Sequence, residues 1–198
     1  MSIDIFEIIM TKQDGRNLRS VNSQKLIVDA CIKLFKAGNL EPTAQQVADE
    51  SGVGIRTVFR QFDEMENLFK SVDAVLSKDY DFEVSYDPSS SFDARLQSTI
   101  SHMNKGYEKH KLIMFMTVSK MWKYEFLRKN YLMYQDLIKS KTEEILPEVL
   151  SFDTESRHLF HASLSFAMWT RLQGQKLNNG QINKAMFRQC ILITNDNK

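Results

Sequence analysis

The chain has 198 residues, 42% of them hydrophobic and 26% charged, an ordinary profile for a globular protein of one or two domains. A formal net charge of +1 is far too small for a sequence-blind nucleic-acid binder, so any DNA binding must depend on where individual charges lie. Only 7 Gly and 3 Pro leave little material for turns, which favours a few long helices over a many-stranded sheet.

The cysteines and the apolar stretches predict a cytoplasmic protein. Cys31 and Cys190 lie far apart in apolar helical patterns without a Cys or His at metal-ligand spacing, so we expect buried, reduced thiols and no metal or other cofactor. The short apolar run at the N-terminus is interrupted by Asp4 and Glu7 and lacks the flanks of a signal peptide. No stretch approaches the length of a membrane-spanning helix, so we expect no membrane partner.

The first 20 residues form a leader whose second half carries Lys12, Arg16 and Arg19. Such an arm can settle against phosphates or a minor groove when DNA binds, and a solvated tail is the alternative. A first helix is predicted from about residue 22 to 37, because apolar residues recur there at 3.6-residue spacing and Gly38 stands at the expected end.

Residues 43 to 62 have the pattern of two short helices joined by a tight turn. Thr43 and Gln46 have the spacing of a capping box, in which each side chain satisfies an amide at the start of a helix. Gly52 can take the positive φ that ends that helix, and Gly54 is an acceptable N-cap for the next. The pattern predicts a helix-turn-helix, whose second helix fits the DNA major groove, and an ordinary helical hairpin in an all-α core is the alternative.

The following residues make the match more specific. The chain contains, in order, Val47-Ala48, Gly52-Val53, Thr57-Val58-Phe59, Phe62 and Glu66-Asn67-Leu68-Phe69. This order and spacing resemble the DNA-binding domain of the TetR family of bacterial transcriptional repressors, over about a quarter of the chain. The family usually carries a Gly-Val turn, then Thr-Leu-Tyr, then Phe, and Lys-Glu-x-Leu at the start of the next helix.

The resemblance implies a homodimeric, ligand-responsive regulator that binds a roughly palindromic double-stranded operator. We expect a repressor that a small, largely apolar or aromatic effector releases from DNA, and an activator of the same fold is an alternative. Arg56 is the candidate for base readout, because a guanidinium group can pair bidentately with guanine O6 and N7. The other expected DNA contacts are Thr43, Ile55, Thr57, Phe59, Arg60 and Gln61.

Four residues depart from the family pattern. Phe59 replaces a tyrosine and Met65 replaces a lysine, and both family residues contact phosphate. Asp63 and Glu64 follow the second helix, where we expect both carboxylates to cap the next helix and point away from DNA. These departures predict weaker DNA affinity, or phosphate contacts from elsewhere. They also motivate the alternative of a dimeric small-molecule-binding or interaction protein with a degenerate DNA-binding head.

The rest of the chain is predicted to be all-α. We expect a helix from residue 62 to about 83, a loop over 85–91, and helices over about 92–109, 112–126, 129–145, 154–175 and 181–193. The prediction is a three-helix DNA-binding domain with its N-terminal arm over residues 1–65. A larger helical domain for effector binding and dimerisation follows over residues 66–198, giving about nine helices in all.

The middle helices are rich in Met and aromatic residues. Most of these side chains are expected to be core, but thioethers and aromatic faces also line adaptable ligand sites. Because the TetR resemblance implies an effector site among these helices, we expect much of its lining to come from Met103, Tyr107, Met114, Val118, Met121, Trp122, Tyr134, Phe166 and Trp169.

The last two long helices are expected to pair with their symmetry mates, as the resemblance implies. The expected interface residues are His161, Ala162, Ser165, Trp169, Ile182, Ala185, Met186 and Gln189. His158 and His161 have a spacing that can bind a metal, but no carboxylate or thiol completes a site in the sequence, so we expect a structural or interface role. Motifs for nucleophilic, metal-dependent or phosphate-loop catalysis are absent from the sequence, so we do not expect an enzyme.

Overall fold

The computed structural model describes the backbone of residues 5–197 and the side chains of residues 17–197. Within that range the chain forms nine α-helices, two short 3₁₀ helices and no strand. The all-α prediction is therefore confirmed. The chain divides between Asp79 and Tyr80 into two compact units, each with its own packed helices. The predicted basic leader falls partly outside the described side chains, which do not include Lys12 and Arg16.

The first unit contains four α-helices. They are α1 (Ile5–Lys36), α2 (Ala44–Ser51), α3 (Ile55–Phe62) and α4 (Met65–Leu76), followed by a 3₁₀ turn at Ser77–Asp79. Helix α1 packs against the other three, and its buried residues Ile27 and Phe35 supply the centre of the core. The Phe35 ring lies 5.8 Å from the Phe69 ring of α4. Helix α4 thus belongs to the first unit, whereas the predicted domain boundary at residue 65 precedes it.

Two helices of the first unit have different lengths from those predicted. Helix α1 begins at Ile5, so the helix includes most of the leader expected to precede residue 22. Helix α4 ends at Leu76, before the predicted residue 83, because the chain tightens there into the 3₁₀ turn. The Ser77 hydroxyl donates to the Ala74 carbonyl (3.4 Å), and such local side-chain bonds compete with continuation of a helix.

The second unit begins with an extended segment and contains the other five α-helices. They are α5 (Phe92–Lys120), α6 (Glu125–Ile145), α7 (Thr154–Ser163), α8 (Phe166–Gly174) and α9 (Asn179–Asp196), with a 3₁₀ helix at Pro147–Ser151 between α6 and α7. Helix α5 packs against α6, α8 and α9, and α9 also packs against α7 and α8. The core lies around α5 and includes the buried side chains of Leu96, Tyr107, Phe160, Trp169 and Met186.

Three helix boundaries in the second unit were predicted wrongly. The break expected at residues 127–128 lies instead at 121–124, between α5 and α6. Helix α5 is continuous through His110 and Lys111, where a break was expected, because neither residue stops a helix. The helix predicted over 154–175 is instead two helices. The Ser165 hydroxyl caps α8 by accepting from the Met168 amide (3.2 Å) and donates to the Ala162 carbonyl (2.6 Å). Hydroxyl groups that bond to nearby backbone in this way favour a helix end.

Among the described residues, none of the helices combines the length and apolarity needed to cross a membrane.

Candidate nucleic-acid interface

Helix α3 follows a turn that fixes where it begins. The capping box before α2 is confirmed: Thr43 Oγ1 accepts from the Gln46 amide (3.2 Å) and Gln46 Oε1 accepts from the Thr43 amide (2.8 Å). Gly52 then ends α2 in the left-handed conformation (φ 71°, ψ 11°), as predicted. Gly54 is the N-cap of α3 in an extended conformation (φ −64°). The two helices therefore meet in a tight turn, which is the local geometry of a helix-turn-helix.

One face of α3 is buried and the other is exposed. Val58 and Phe62 pack into the core of the first unit. The opposite face carries Ile55 (37% exposed), Phe59 (46% exposed) and the exposed guanidinium groups of Arg56 and Arg60. Thr57 is half-buried. Within the part of the chain that the structure describes, neither arginine has an ion-pair or hydrogen-bond partner, so both remain available to a ligand outside the unit.

Gln61 differs from the two arginines because its side chain is already engaged. Its amide group exchanges hydrogen bonds with the Ser20 hydroxyl of α1, at 3.1 Å from Nε2 and 3.2 Å to Oε1. Sequence reasoning missed this tether, since the two residues are 41 positions apart and no local pattern connects them. Thr43 is exposed, but its hydroxyl is occupied by the capping box.

The end of α3 is a strained turn centred on Asp63. The Asp63 backbone has φ 53° and ψ −58°, and the Glu64 amide donates to the Phe62 carbonyl (2.5 Å). This is a γ-turn with a positive central φ, a rare and strained conformation for a residue with a side chain. The Asn67 side chain braces the turn by donating from Nδ2 to the same carbonyl (3.0 Å).

The two carboxylates at this turn do not act as predicted. We expected the side chains of Asp63 and Glu64 to cap α4. Instead Asp63 provides a backbone cap for α3, and Glu64 is the N-cap residue of α4 without a side-chain capping bond. Both side chains are exposed, because the γ-turn directs the chain away from the geometry in which a carboxylate reaches the free amides. They therefore add negative charge beside the C-terminal end of α3.

Three of the predicted effector-lining residues come together in the second unit. Tyr107, Phe166 and Trp169 are buried with their rings 5.6 to 6.1 Å apart, and Met103 and Met114 pack half-buried against the same core. The Tyr107 hydroxyl donates to the Leu164 carbonyl (2.8 Å), and burial raises the Tyr107 pKa. The Trp169 Nε1 is buried without a hydrogen-bond partner among the described residues.

The remaining predicted lining residues do not join this group. Trp122 is 80% exposed in the turn between α5 and α6, and Val118 is 39% exposed, so neither lines an enclosed site in this structure. Met121, the C-cap residue of α5, is half-buried in that turn. Tyr134 belongs to a separate cluster, stacked on Phe82 (5.8 Å) and packed edge-on against Tyr80 (5.3 Å). The aromatic richness of the sequence does not show which faces of these helices are covered.

The predicted dimer residues also separate into two groups. Trp169, Ile182 and Met186 are fully buried inside one chain, so their assignment to an interface is corrected to the core. Ala162 and Gln189 are exposed, Ala185 is half-buried, and Ser165 caps α8. The exposed faces of α7 and α9 instead present Leu159 and Leu192, 59% and 60% exposed. Apolar periodicity does not mark these leucines, because Leu159 lies on another face of α7 from the buried Phe160 and Leu192 lies off the buried stripe of α9.

His161 belongs to an ion-pair network between α6 and α7. Its Nε2 lies 2.8 Å from Glu143 Oε1, and Arg157 donates to the same carboxylate from Nε (2.8 Å). Burial lowers the His161 pKa, which outweighs the opposite effect of Glu143. Hydrogen bonding from Arg157 is the main cause that lowers the Glu143 pKa. His158 is exposed, and the described residues contain no group of three or more potential ligands that could hold a metal.

The two cysteines are buried free thiols, as predicted, and burial raises the pKa of each to about 12.

No family model matches the chain, and the search of curated proteins finds no match. The fold and the geometry of α2 and α3 therefore define the class by themselves: an all-α protein of two units, the first of which carries two short helices joined by a tight glycine turn.

Proposed function

We propose that the protein is a homodimeric, ligand-responsive transcriptional regulator, most simply a repressor, that binds double-stranded DNA through α3. The observation that carries the proposal is the combination of a capped α2, a left-handed Gly52 and an α3 whose outer face leaves two arginines without partners. The resemblance of residues 47–69 to the TetR family supports the same function. The second unit would then bind a small effector and pair with a second copy.

The exposed side chains of α3 supply three kinds of DNA contact in this proposal. Arg56 lies in the first turn of α3, where N-terminal residues of a recognition helix contact base edges, and its guanidinium group suits guanine. Arg60 lies one turn further on and is the candidate for a phosphate contact. Ile55 and the exposed ring of Phe59 suit thymine methyl groups or sugar, because neither can donate a hydrogen bond.

The proposed regulation depends on two copies of the chain. A two-fold dimer would present two α3 helices to half-sites separated by roughly 34–36 Å, one turn of DNA. An effector bound among α5 and α8 would favour a dimer with a different separation. It would shift that equilibrium only by the difference between its affinities for the two arrangements.

The test is selection of bound duplexes from a random pool, followed by salt titration of the selected duplex. We expect a roughly palindromic site whose affinity falls steeply with salt, because each neutralised phosphate contributes a slope of about −0.9. Failure to enrich any sequence, with a folded dimer in solution, would overturn the proposal.

Two matched variants separate base from phosphate contacts. Arg56→Ala is expected to relax the sequence preference and cost about 1–3 kcal/mol, whereas Arg60→Ala should weaken all duplexes similarly and reduce the salt slope by about 1. Arg171→Ala, which removes an exposed arginine of α8, is the control and should change neither property. A binding-site selection that is unchanged by Arg56→Ala would refute the base-reading role.

A second candidate is favoured by the charges at the end of α3. The exposed carboxylates of Asp63 and Glu64 lie beside the proposed DNA-binding surface, and Phe59 offers no hydroxyl to phosphate. Under this reading the protein is a dimeric small-molecule-binding protein whose DNA-binding head no longer functions. Enrichment of a specific duplex decides against this candidate.

A further inference from the structure

A groove of about 600 Å³ opens on the first unit between α1 and α4. The α1 wall of the groove carries Val21, Lys25 and Asp29, which are four residues apart in sequence. The lining residues that α4 contributes are also four residues apart. Such a row lies on one face of a helix and spans about 12 Å. The buried side chains of Val28 and Phe62 form an apolar floor. This volume is within the range of small-molecule sites, on the order of 300–1,000 Å³.

Three side chains along the groove already donate hydrogen bonds to the protein, whereas the exposed Gln24 and Lys25 of α1 have no partner among the described residues. On the α4 wall, Ser71 Oγ donates to the Asn67 carbonyl (3.1 Å), and Asn67 Nδ2 donates to the Phe62 carbonyl (3.0 Å). Near the end of α3, Gln61 Nε2 donates to Ser20 (3.1 Å). The acceptors on the α4 wall remain open, because an amide oxygen and a hydroxyl oxygen each keep unused lone pairs.

The charged side chains of the groove point to the same kind of ligand. Asp29 lies on the α1 wall and Asp63 in the turn after α3, and within the described residues neither carboxylate has a partner. Lys25 is the one basic residue of the lining, and its exposed side chain lies on the α1 wall. Two carboxylates and several free acceptors above an apolar floor suit a cation that donates hydrogen bonds and carries an apolar body.

We propose that this groove binds a small amphipathic organic cation, such as an amine or amidine attached to an aromatic or aliphatic group. Its N–H groups donate to Asp29, Asp63 and the free acceptors of the α4 wall, and its apolar body covers Val28 and Phe62. The site is distinct from the effector site proposed in the second unit, since every lining residue lies in the first unit.

The position of the groove connects the ligand to α3. Its lining includes Gln61, Phe62 and Asp63, which belong to the last turn of α3 and the strained γ-turn that follows. A cation held by Asp63 therefore acts on the residues that fix where α3 ends. If the first unit reads DNA, a step that rests on the proposed function, the ligand changes DNA affinity and DNA changes ligand affinity by the same factor.

The experiment compares benzamidine with benzamide, its neutral analogue of nearly the same shape, by titrating each into the ¹⁵N-labelled full chain. We expect benzamidine to shift the amide signals of Val28, Asp63 and Ser71 in a saturable manner, with benzamide about tenfold weaker or more. Equal binding of the two compounds, no saturable shift with benzamidine, or shifts confined to the second unit would each overturn the proposal.

Charge variants test the site independently. The double variant Asp29→Asn with Asp63→Asn should bind benzamidine about tenfold more weakly, whereas Lys25→Gln should bind it more tightly because a competing cation is removed. Asparagine tolerates positive φ, so the turn is retained. Glu64→Gln removes the neighbouring carboxylate, which is not in the lining, and should leave the affinity unchanged. Undiminished affinity in the double variant would refute the role of the two carboxylates.

A final comparison separates this site from the proposed function. Benzamidine at a concentration near its Kd for the wild type should change the affinity for the selected duplex in the wild type and much less in the double variant, whose occupancy stays low. Saturable amide shifts without any effect on duplex affinity would overturn the connection to α3 alone. Failure of duplex selection would instead overturn the proposed function, since the amide shifts are measured without DNA.

Discussion

The turn between α2 and α3 predicts that two glycines separated by one residue respond differently to the same substitution. Gly52 has φ 71°, whereas Gly54 has φ −64° and ψ 144°, a conformation open to any residue. A Cβ atom added at either position meets nothing within 4 Å, so new side-chain contacts do not decide the outcome. The difference between the two variants is therefore a difference in backbone conformation.

The magnitude follows from that conformation. Gly52→Ala places a Cβ in the left-handed region, which costs roughly 1–2 kcal/mol, and the reduced freedom of the unfolded chain returns about 0.4–1 kcal/mol. The expected net loss is about 1 kcal/mol. Gly54→Ala gains the same unfolded-state term, but alanine is a poorer N-cap than glycine, so we expect a change within about 0.5 kcal/mol.

The assay has to report on the first unit. Residues 1–79 contain no Trp and no Tyr, so intrinsic fluorescence follows the second unit only. Native-state hydrogen exchange of the buried amides of Ile27 and Val58 is the suitable measurement. Gly52→Ala should accelerate their exchange about fivefold, while Gly54→Ala leaves it nearly unchanged. Equal effects of the two substitutions would refute the left-handed turn, and with it the helix-turn-helix geometry.

Two further predictions concern the ion-pair network of the second unit and the cap of α2. The pKa values of His161 and Glu143 are both lower in the folded protein than their ordinary values of 6.5 and 4.5, so the unfolded chain binds protons more readily. The stability they contribute is complete above pH 6.5 and decreases first as His161 is protonated below that pH, then further below pH 4.5. Urea unfolding of the second unit, followed by fluorescence, should show this decrease, and Glu143→Gln should remove the part below pH 4.5. Thr43→Ala should destabilise the first unit by about 1 kcal/mol, measured by hydrogen exchange, because it breaks the capping box with Gln46. Gln45→Ala is the control. It removes an exposed side-chain contact within α2 and should lower the stability by less than about 0.5 kcal/mol.

Features specified by a few neighbouring residues were the ones that could be predicted from the sequence. The capping box needs only Thr43 and Gln46, and the end of α2 needs only a glycine at position 52, so both were predicted correctly. The division between α7 and α8 was missed although it is also local, because Ser165 can lie inside a helix or cap one. Which of these it does depends on packing against α5 and α9.

Burial in the second unit could not be predicted at the level of single residues. Trp122 and Trp169 occur in similar apolar helical patterns, yet the first is 80% exposed and the second is fully buried. Periodicity shows which side of a helix is apolar, but Trp122 lies in the turn after α5, outside the core cluster that contains Trp169. Ile182 and Met186 lie on α9, which packs against α5, α7 and α8, so both belong to the core and not to an interface.

Contacts within the first unit determine which side chains of α3 are free to contact DNA. The tether between Gln61 and Ser20 would have to break before Gln61 could contact a phosphate, and two hydrogen bonds of about 0.5–1.5 kcal/mol each oppose that step. Arg56 and Arg60 lose no such bonds within the described residues. A DNA contact by either arginine therefore keeps its full free energy, whereas one by Gln61 is reduced by the cost of the tether. The tether is better understood as an attachment of α3 to α1 that keeps the orientation of the arginine face constant.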